Sequence, residues 1–248
     1  MTASVTMIGR SIRLSRRNFD LVIMAIVLPV LMMALFVYVF GGAISTSVQS
    51  YVDYVVPGIL VLCTGYGATS TAMSVTDDVQ KGVLDRFRSL PIRGFSVLTG
   101  HVVASVARNA LATFAVVLVA LLMGFRPSGT VVEWVLAMGL LLLYVLALSW
   151  LAAGFGVIAR TVESASLLGF FMLFIPYLSS AFVPVATMPS WLRAISEHQP
   201  ITPVIESVRA LLNGQPVTSG WLALAWSGGL LVVAFGWATW LFGRISRR

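Results

Sequence analysis

Charged side chains are scarce in this sequence. Only 10% of the 248 residues are Asp, Glu, Lys or Arg, whereas 58% are hydrophobic and the mean hydropathy is +0.95. A soluble domain has about 25% charged and roughly 45 to 50% apolar residues. The composition therefore excludes an ordinary soluble domain and predicts an integral membrane protein.

The residues that usually carry catalysis and metal binding are equally few. The chain has one cysteine, Cys63, two histidines, and one lysine, Lys81. Because Lys81 is followed by Gly82, the GxxxxGK[ST] loop that holds ATP phosphates does not occur, and neither HExxH nor GxSxG is present. These absences exclude P-loop ATP hydrolysis, HExxH zinc proteolysis and a GxSxG hydrolase. The lone cysteine cannot form an intrachain disulfide.

The sequence instead contains six long apolar runs. A membrane-spanning helix needs about 20 predominantly apolar residues, whereas barrel strands are about ten residues long and alternate in polarity. These runs do not alternate, so we predict an all-α polytopic membrane protein with one transmembrane domain over residues 1–248. The predicted spans are residues 21–40, 55–75, 107–125, 132–158, 166–183 and 221–243. Pro176 lies inside the fifth span and should bend it.

The net charge of +7 is concentrated beside the predicted spans. Basic residues near span ends mark the cytoplasmic side of a membrane protein. If the N-terminus is inside, that side holds the basic residues of segments 10–17, 81–93, 160 and 244–248, and the other side holds only Arg126, Arg193 and Arg209. We therefore predict that both termini are cytoplasmic and that the protein lies in the cytoplasmic membrane. The same placement argues against nucleic acid as the partner of the positive charge.

Residues 1–20 have an amphipathic pattern. At 100° per residue, Val5, Ile8, Ile12 and Phe19 share a narrow arc, while Arg10, Arg13 and Arg17 lie on other faces. This pattern predicts a helix that lies on the membrane surface. The alternative is a basic anchor that only sets the topology.

The loop predicted at residues 77–96 holds a compact charged motif, LDRFRSLP. One apolar face repeats at spacings of four, four and three residues, at Val79, Val83, Phe87 and Leu90. Acidic residues at the start of the loop suit a helix N-terminus, and Pro91 ends the pattern. We predict a short amphipathic helix at the inner surface.

Three ionisable residues elsewhere are candidate gate or interface positions: Arg108, Arg160 and Glu163. Arg108 is either a functional residue inside the third span or snorkels to the inner interface from a span that begins beside it. Arg160 and Glu163 are three residues apart, which permits an exposed ion pair of mainly structural value. His101 faces the same way as Arg108, but no carboxylate lies near it in sequence, so a proton relay there is disfavoured.

Small and hydroxylated residues crowd the second span: Thr64, Gly65, Gly67, Ala68, Thr69, Ser70, Thr71 and Ser74. Such residues let helices approach closely and hydrogen-bond to one another. Helix packing is the first interpretation, and lining a transport pathway is the second. Later in the chain, the predicted outer loop at residues 184–220 contains WLRAISEH and VIESVRALLNG. Both have a helical period and predict two short outer helices.

Two blocks resemble a known family. DDVQKGVLDRFRSLPIRGFSVLTG, residues 77–100, is similar to the inner loop of the ABC type-2 export permeases, and most to their daunorubicin-resistance, DrrB-like branch. FVPVATMPSWLRAISEHQPITPVIESVRALLNG, residues 182–214, is similar to the outer loop of that family. With six spans in the same order, the resemblance covers nearly the whole chain.

The resemblance implies that the inner loop carries a coupling helix, which docks on a separate ABC ATPase. An amphipathic helix suits such a groove, because its apolar face can be buried while its charges fix the register. The implied ATPase-coupling residues are Asp78, Val83, Leu84, Asp85, Arg86, Phe87, Arg88, Leu90 and Pro91. Phe87 would be the buried anchor. A helix that merely rests on lipid headgroups is the alternative.

The resemblance also implies the assembly and the cargo. Two permease copies, identical or closely paralogous, would combine with two ATPase subunits, which bind ATP and Mg; this chain itself would bind no cofactor or metal and would be no enzyme. The cargo would be hydrophobic or amphipathic, with a drug or antibiotic as the first candidate. Lipid or glycan-lipid export, and an ATP-independent channel or secondary transporter, are the alternatives.

Overall fold

The computed structural model describes residues 19–42, 50–82 and 95–245. All regular secondary structure within these residues is helical, as the sequence predicts. The helices are α1 (Phe19–Ala34, continuing as a π-helix over Leu35–Phe40), α2 (Tyr51–Gln80), α3 (Phe95–Leu122), α4 (Val131–Ile158), α5 (Val162–Phe174), α6 (Ser190–His198), α7 (Ile201–Leu212) and α8 (Gly220–Ile245). The interfacial helix predicted at residues 1–20 lies outside the described residues, except for Phe19 and Asp20 at the start of α1.

Four helical segments are long and apolar enough to cross a bilayer: Tyr51–Gln80, Val97–Leu122, Val131–Ile158 and Gly220–Arg244. They coincide with the second, third, fourth and sixth predicted spans. The first and fifth predicted spans contain the shorter apolar helices Ala25–Phe40 and Val162–Leu178. At about 1.5 Å per residue, α2 is about 45 Å long, so it extends beyond a hydrocarbon core of roughly 30 Å.

The bounds of two predicted spans were wrong. The third helix begins at Phe95 rather than at residue 107, because the polar residues of its first half, among them His101 and Ser105, are buried against other helices instead of facing lipid. The fifth helix ends at Phe174 and passes into a 3-10 turn, Ile175–Leu178, that contains Pro176. Proline has no N–H to donate to the preceding turn, so the α-helix ends just before Pro176, where the sequence predicts only a bend.

Side-chain caps explain where α4 and α5 begin. Thr130 Oγ1 accepts a hydrogen bond from the Glu133 N–H at 3.4 Å, and a Glu133 carboxylate oxygen accepts one from the Thr130 N–H at 2.6 Å. Thr161 and Ser164 form the same reciprocal pair at the start of α5. Each pair satisfies backbone N–H groups that the first turn of a helix leaves without partners.

α2 is the central helix. It packs against α1, α3, α4, α5 and α7, and 83% of its most apolar stretch is buried, compared with 22 to 39% for the other long helices. Its buried hydroxyls bond to carbonyls of its own helix, as at Thr64 to Val61 O (2.6 Å) and Thr71 to Gly67 O (2.8 Å), which removes the cost of burying them. The small side chains of this span therefore serve helix packing, as the first interpretation predicts.

Candidate functional site

The predicted coupling segment lies mostly outside the described residues, but its two flanks are described. α2 ends at Gln80, and α3 begins at Phe95. The coupling residues outside the description are Val83, Leu84, Asp85, Arg86, Phe87, Arg88, Leu90 and Pro91. Asp78 is the one predicted coupling residue within it, and its side chain is buried rather than displayed at the surface.

Asp78 and His101 form a buried pair at the base of this segment. Asp78 Oδ2 lies 3.0 Å from His101 Nε2, and the two side chains are 9% and 8% exposed. No carboxylate lies near His101 in the sequence, but the antiparallel packing of α2 and α3 supplies one from 23 positions away. A buried polar group is stable only when it is paired, so this contact ties the end of α2 to the start of α3.

The connection between α4 and α5 is held at the same end of the bundle. Gln80 Nε2 donates to the backbone carbonyl of Arg160 at 2.7 Å, and Thr76 Oγ1 donates to the carbonyl of Gly156 at 2.9 Å. Glu163 is exposed in the first turn of α5. The ion pairs between described residues are Asp77–Lys81, Asp78–His101 and Arg193–Glu197, so the one predicted between Arg160 and Glu163 does not form. Arg160 contributes its backbone here rather than its charge.

A polar stripe runs along α3 from this end towards its middle. His101, Ser105 and Asn109 recur every four residues, so they share one face of the helix. Ser105 Oγ donates to Gly67 O on α2 at 3.3 Å and accepts from Ser149 Oγ on α4 at 2.8 Å. Asn109 Nδ2 donates to Ser105 O at 3.0 Å. This stripe was not predicted from the sequence, although polar residues at a spacing of four within an apolar helix are its visible signal.

Arg108 lies beside the stripe. Because α3 begins at Phe95, Arg108 is the fourteenth of its 28 residues and stands near the middle of the helix, not at its end. Its guanidinium is half-buried and donates to Thr71 Oγ1 of α2 at 3.2 Å. The side chain thus contacts the central helix, and the choice between a functional and a snorkelling Arg108 stays a prediction.

A second polar cluster holds the opposite end of α2. Arg209 of α7 is 9% exposed; its Nε donates to Tyr54 O at 3.0 Å and its Nη2 to Ser180 O at 2.6 Å. The guanidinium carbon also lies 3.8 Å from the centroid of the Tyr54 ring. Burial lowers the pKa of Arg209, while the nearby Tyr54 and Glu206 raise it. Arg209 was predicted only as a basic residue of the outer side, whereas in the structure it anchors α7 to α2.

The described residues contain no group of three or more His, Cys, Asp or Glu side chains placed to hold a metal ion. Cys63 is buried within α2. What distinguishes the bundle is its inverted polarity, with hydrogen-bonding side chains between α2, α3 and α4 and large apolar side chains on the outside, among them Phe114, Phe171 and Trp240.

Comparison with known sequences identifies the family. The sequence model of the ABC-2 type transporter family matches residues 2–213. This chain belongs to that family. The family assignment confirms the resemblance inferred from the inner and outer loops. The chain is therefore the membrane permease subunit of an ABC transporter and a multi-pass membrane protein.

Individual relatives agree with the family assignment. The permease is 32% identical over 239 residues to the daunorubicin resistance ABC transporter permease protein DrrB1 of Streptomyces coeruleorubidus. The aligned residues cover 94% of this chain and 83% of that protein. It is 27% identical over 222 residues to the probable doxorubicin resistance ABC transporter permease protein DrrC of Mycobacterium tuberculosis, with coverages of 88% and 79%. The inner membrane transport permease YadH of Escherichia coli is 25% identical over 194 residues, 75% of each chain.

Proposed function

We propose that this permease is the membrane half of an ATP-driven exporter that moves a hydrophobic or amphipathic drug out across the cytoplasmic membrane. The family match over residues 2–213, with relatives named for daunorubicin and doxorubicin resistance, is the observation that carries the proposal. The scarcity of charge in the described helices supports an apolar cargo, because a strongly polar solute would need charged or polar partners within the membrane.

The permease crosses the membrane six times in this proposal. The four long helices span it directly, and α1 and α5 complete the set with the segments Ala25–Phe40 and Val162–Leu178. Both termini and the loop between α2 and α3 are cytoplasmic, because the basic residues concentrate there. The helices α6 and α7 then lie on the outer side.

The inner loop, residues 77–96, carries the coupling helix and docks on an ABC ATPase. The contacts of Asp78 with His101 and of Gln80 with Arg160 O support this role, since they give the segment a fixed base from which a partner's movement can reach α2, α3 and the α4–α5 turn. Two permease copies and two ATPases make the working transporter, and ATP and Mg bind to the ATPases.

The test is to co-express the tagged permease with its cognate ABC ATPase, isolate the complex and assay vanadate-sensitive ATP hydrolysis in lipid. Phe87→Glu places a charge on the predicted apolar face, so we expect it to abolish recovery of the ATPase while leaving membrane insertion intact. Ser89→Glu is the matched control, because it adds the same charge to the opposite side of the predicted helix.

Equal loss of the ATPase in the Phe87 and Ser89 variants, or full retention in both, would contradict the coupling role. Transport by the purified permease alone, driven by an ion gradient without nucleotide, would favour a secondary transporter. ATP-driven movement of lipid but not of drug would keep the mechanism and change the cargo.

A further inference from the structure

The short helix α6, Ser190–His198, carries a row of exposed apolar side chains. Ala194 and Ile195 follow Trp191 after three and four residues, so the three side chains share one side of the helix. Trp191 is 66% exposed and Ile195 49%, so the described residues leave this row largely uncovered. We call it the α6 apolar face.

The charged residues of α6 lie on its opposite side. Arg193 Nε donates to Glu197 Oε1 at 2.8 Å, and both side chains are exposed. At 100° per residue, the centre of this pair is about 160° around the helix from the centre of Trp191 and Ile195. Ser196 is buried and lies between the two rows, so the contact of α6 with the rest of the protein leaves both rows at the surface.

A hydrogen bond fixes the level of α6 relative to the apolar segments. Gln199, the residue after α6, donates from Nε2 to the backbone carbonyl of Leu178 at 2.6 Å. Leu178 is the last residue of the apolar segment Val162–Leu178, and the side chains of Ile175 and Leu178 are exposed there. Exposed apolar surface on such a segment faces lipid. α6 is therefore held at the level where this lipid-facing segment ends.

Two exposed tryptophans mark the boundaries of the bilayer on α8. Trp221 is the second residue of that helix, and Trp240 lies near its other end. At about 1.5 Å per residue they are about 29 Å apart, close to the roughly 30 Å of the hydrocarbon core. Tryptophan is enriched at both membrane–water interfaces. α6 lies in the connection between Leu178 and α8, as Trp221 does at its end, so Trp191 suits the same interface.

We propose that the α6 apolar face is inserted in the outer leaflet of the bilayer, at the boundary between phospholipid headgroups and acyl chains, with the Arg193–Glu197 pair in water. A helix with apolar and charged sides lies in this plane with its apolar face buried by about 5–10 Å. Trp191 fits there because its ring is apolar and its indole N–H can reach the headgroups. That the leaflet is the outer one rests on the topology proposed above, whereas insertion itself does not.

A protein partner, such as a second copy of the permease, is the alternative occupant of this face. A stable protein interface takes about 20–30 residues from each side, whereas the α6 apolar face is a single row of three. A bilayer needs only such a row, provided that the charges lie opposite to it. The structure therefore favours lipid.

Insertion is tested by lipid quenching of Trp191 in the full-length permease in nanodiscs. The phosphatidylcholine carries bromine either near the headgroup end of its acyl chains or near their middle, and the Trp191 signal is the difference between wild type and Trp191→Phe. We expect the shallow bromine to quench this signal more than the deep bromine does, because the face reaches only the upper acyl chains. Loss of quenching with both lipids would overturn the proposal.

A second measurement compares the two sides of α6 and leaves Trp191 in place. Nitroxide labels are attached to Ile195→Cys and, as the matched position, to Glu197→Cys, each in a Cys63→Ala background. We expect collisions with lipid-soluble oxygen to dominate at 195 and collisions with a water-soluble nickel chelate to dominate at 197. Frequent nickel collisions at both positions would place α6 in water, and few collisions with either reagent at 195 would mean that protein covers the face. Either result would overturn the proposal.

The leaflet is decided separately from insertion. Glu197→Cys in the same background is exposed to a membrane-impermeant maleimide on intact spheroplasts, where we expect labelling without lysis. Labelling only after lysis, with quenching and collisions as expected, would refute the proposed topology and move the inserted helix to the inner leaflet. Labelling without lysis but no quenching of Trp191 would keep the topology and refute insertion.

Discussion

Arg209 gives the sharpest test of how the bundle is held together. Arg209→Met keeps the length and apolar stem of the side chain but removes two hydrogen bonds, to Tyr54 O and Ser180 O, and the contact with the Tyr54 ring. Hydrogen bonds from a charged donor are each worth about 1.5–3 kcal/mol, and a buried cation–π contact about 1–2 kcal/mol.

Two effects make the loss of stability smaller than the sum of these three contacts. Ser180 O also accepts a hydrogen bond from the Tyr54 hydroxyl at 3.0 Å, so this carbonyl keeps a donor after the substitution. Removing a buried charge also recovers part of its desolvation cost. We therefore expect Arg209→Met to lower the free energy of unfolding by about 2–4 kcal/mol. For a chain of this length that is a drop in Tm of roughly 5–15 °C.

The assay is thermal unfolding in nanodiscs, followed by tryptophan fluorescence. Arg193→Met is the matched control, because Arg193 forms an exposed ion pair with Glu197, with side chains 50% and 46% exposed. Such a pair is worth about 0–1 kcal/mol. The Tm of Arg209→Lys should lie between those of Arg209→Met and Arg193→Met, since a lysine ammonium cannot donate to both carbonyls in the geometry of the guanidinium. A Tm for Arg209→Met within about 2 °C of that of Arg193→Met would refute the anchoring role.

Two further predictions concern the inner half of the bundle. Gly156→Ala should destabilise the permease by about 1–3 kcal/mol, because the new Cβ would lie 2.6 Å from the Ala72 carbonyl of α2, whereas Gly139→Ala, with nothing within 4 Å, should be neutral or stabilising in the same melts. In a double-mutant cycle, Asp78→Leu and His101→Leu should show a coupling energy of about 1–3 kcal/mol. Coupling near zero would contradict the buried pair.

The helical class and the order of the long apolar segments could be predicted from hydropathy, because lipid-facing surface must be apolar wherever a helix faces the bilayer. The start of α3 could not be predicted from hydropathy. His101 and Ser105 lower the hydropathy of its first half, and only the packing against α2 and α4 shows that these side chains never face lipid. Hydropathy measures a residue's cost in lipid, and that cost does not apply inside a bundle.

The two anchors of α2 were beyond sequence reasoning for a different reason. The Asp78–His101 pair joins residues 23 positions apart, and Arg209 lies 155 positions from Tyr54. Arg209 bonds to backbone carbonyls, which every residue carries, so no residue type in the sequence indicates its acceptors. By contrast, the capping box at Thr130 and Glu133 is local, and its T-x-x-E spacing can be seen directly.

The anchors act at opposite ends of one stiff helix, and this has a consequence for coupling. The inner contacts, Asp78 with His101 and Gln80 with Arg160 O, join α2 to α3 and to the α4–α5 turn, while Arg209 joins its other end to α7. If the inner loop docks on an ATPase as proposed, its displacement must move α2 and α3 together, because separating them would break the buried hydrogen bond between Asp78 and His101. α7 then follows α2 through Arg209. The Arg209 and Asp78 variants therefore remove contacts at opposite ends of α2. Loss of Arg209 leaves the Asp78–His101 contact beside the inner loop intact and should preserve ATPase binding. Loss of the Asp78–His101 pair removes the contact that holds the base of the inner loop, so it should weaken ATPase binding.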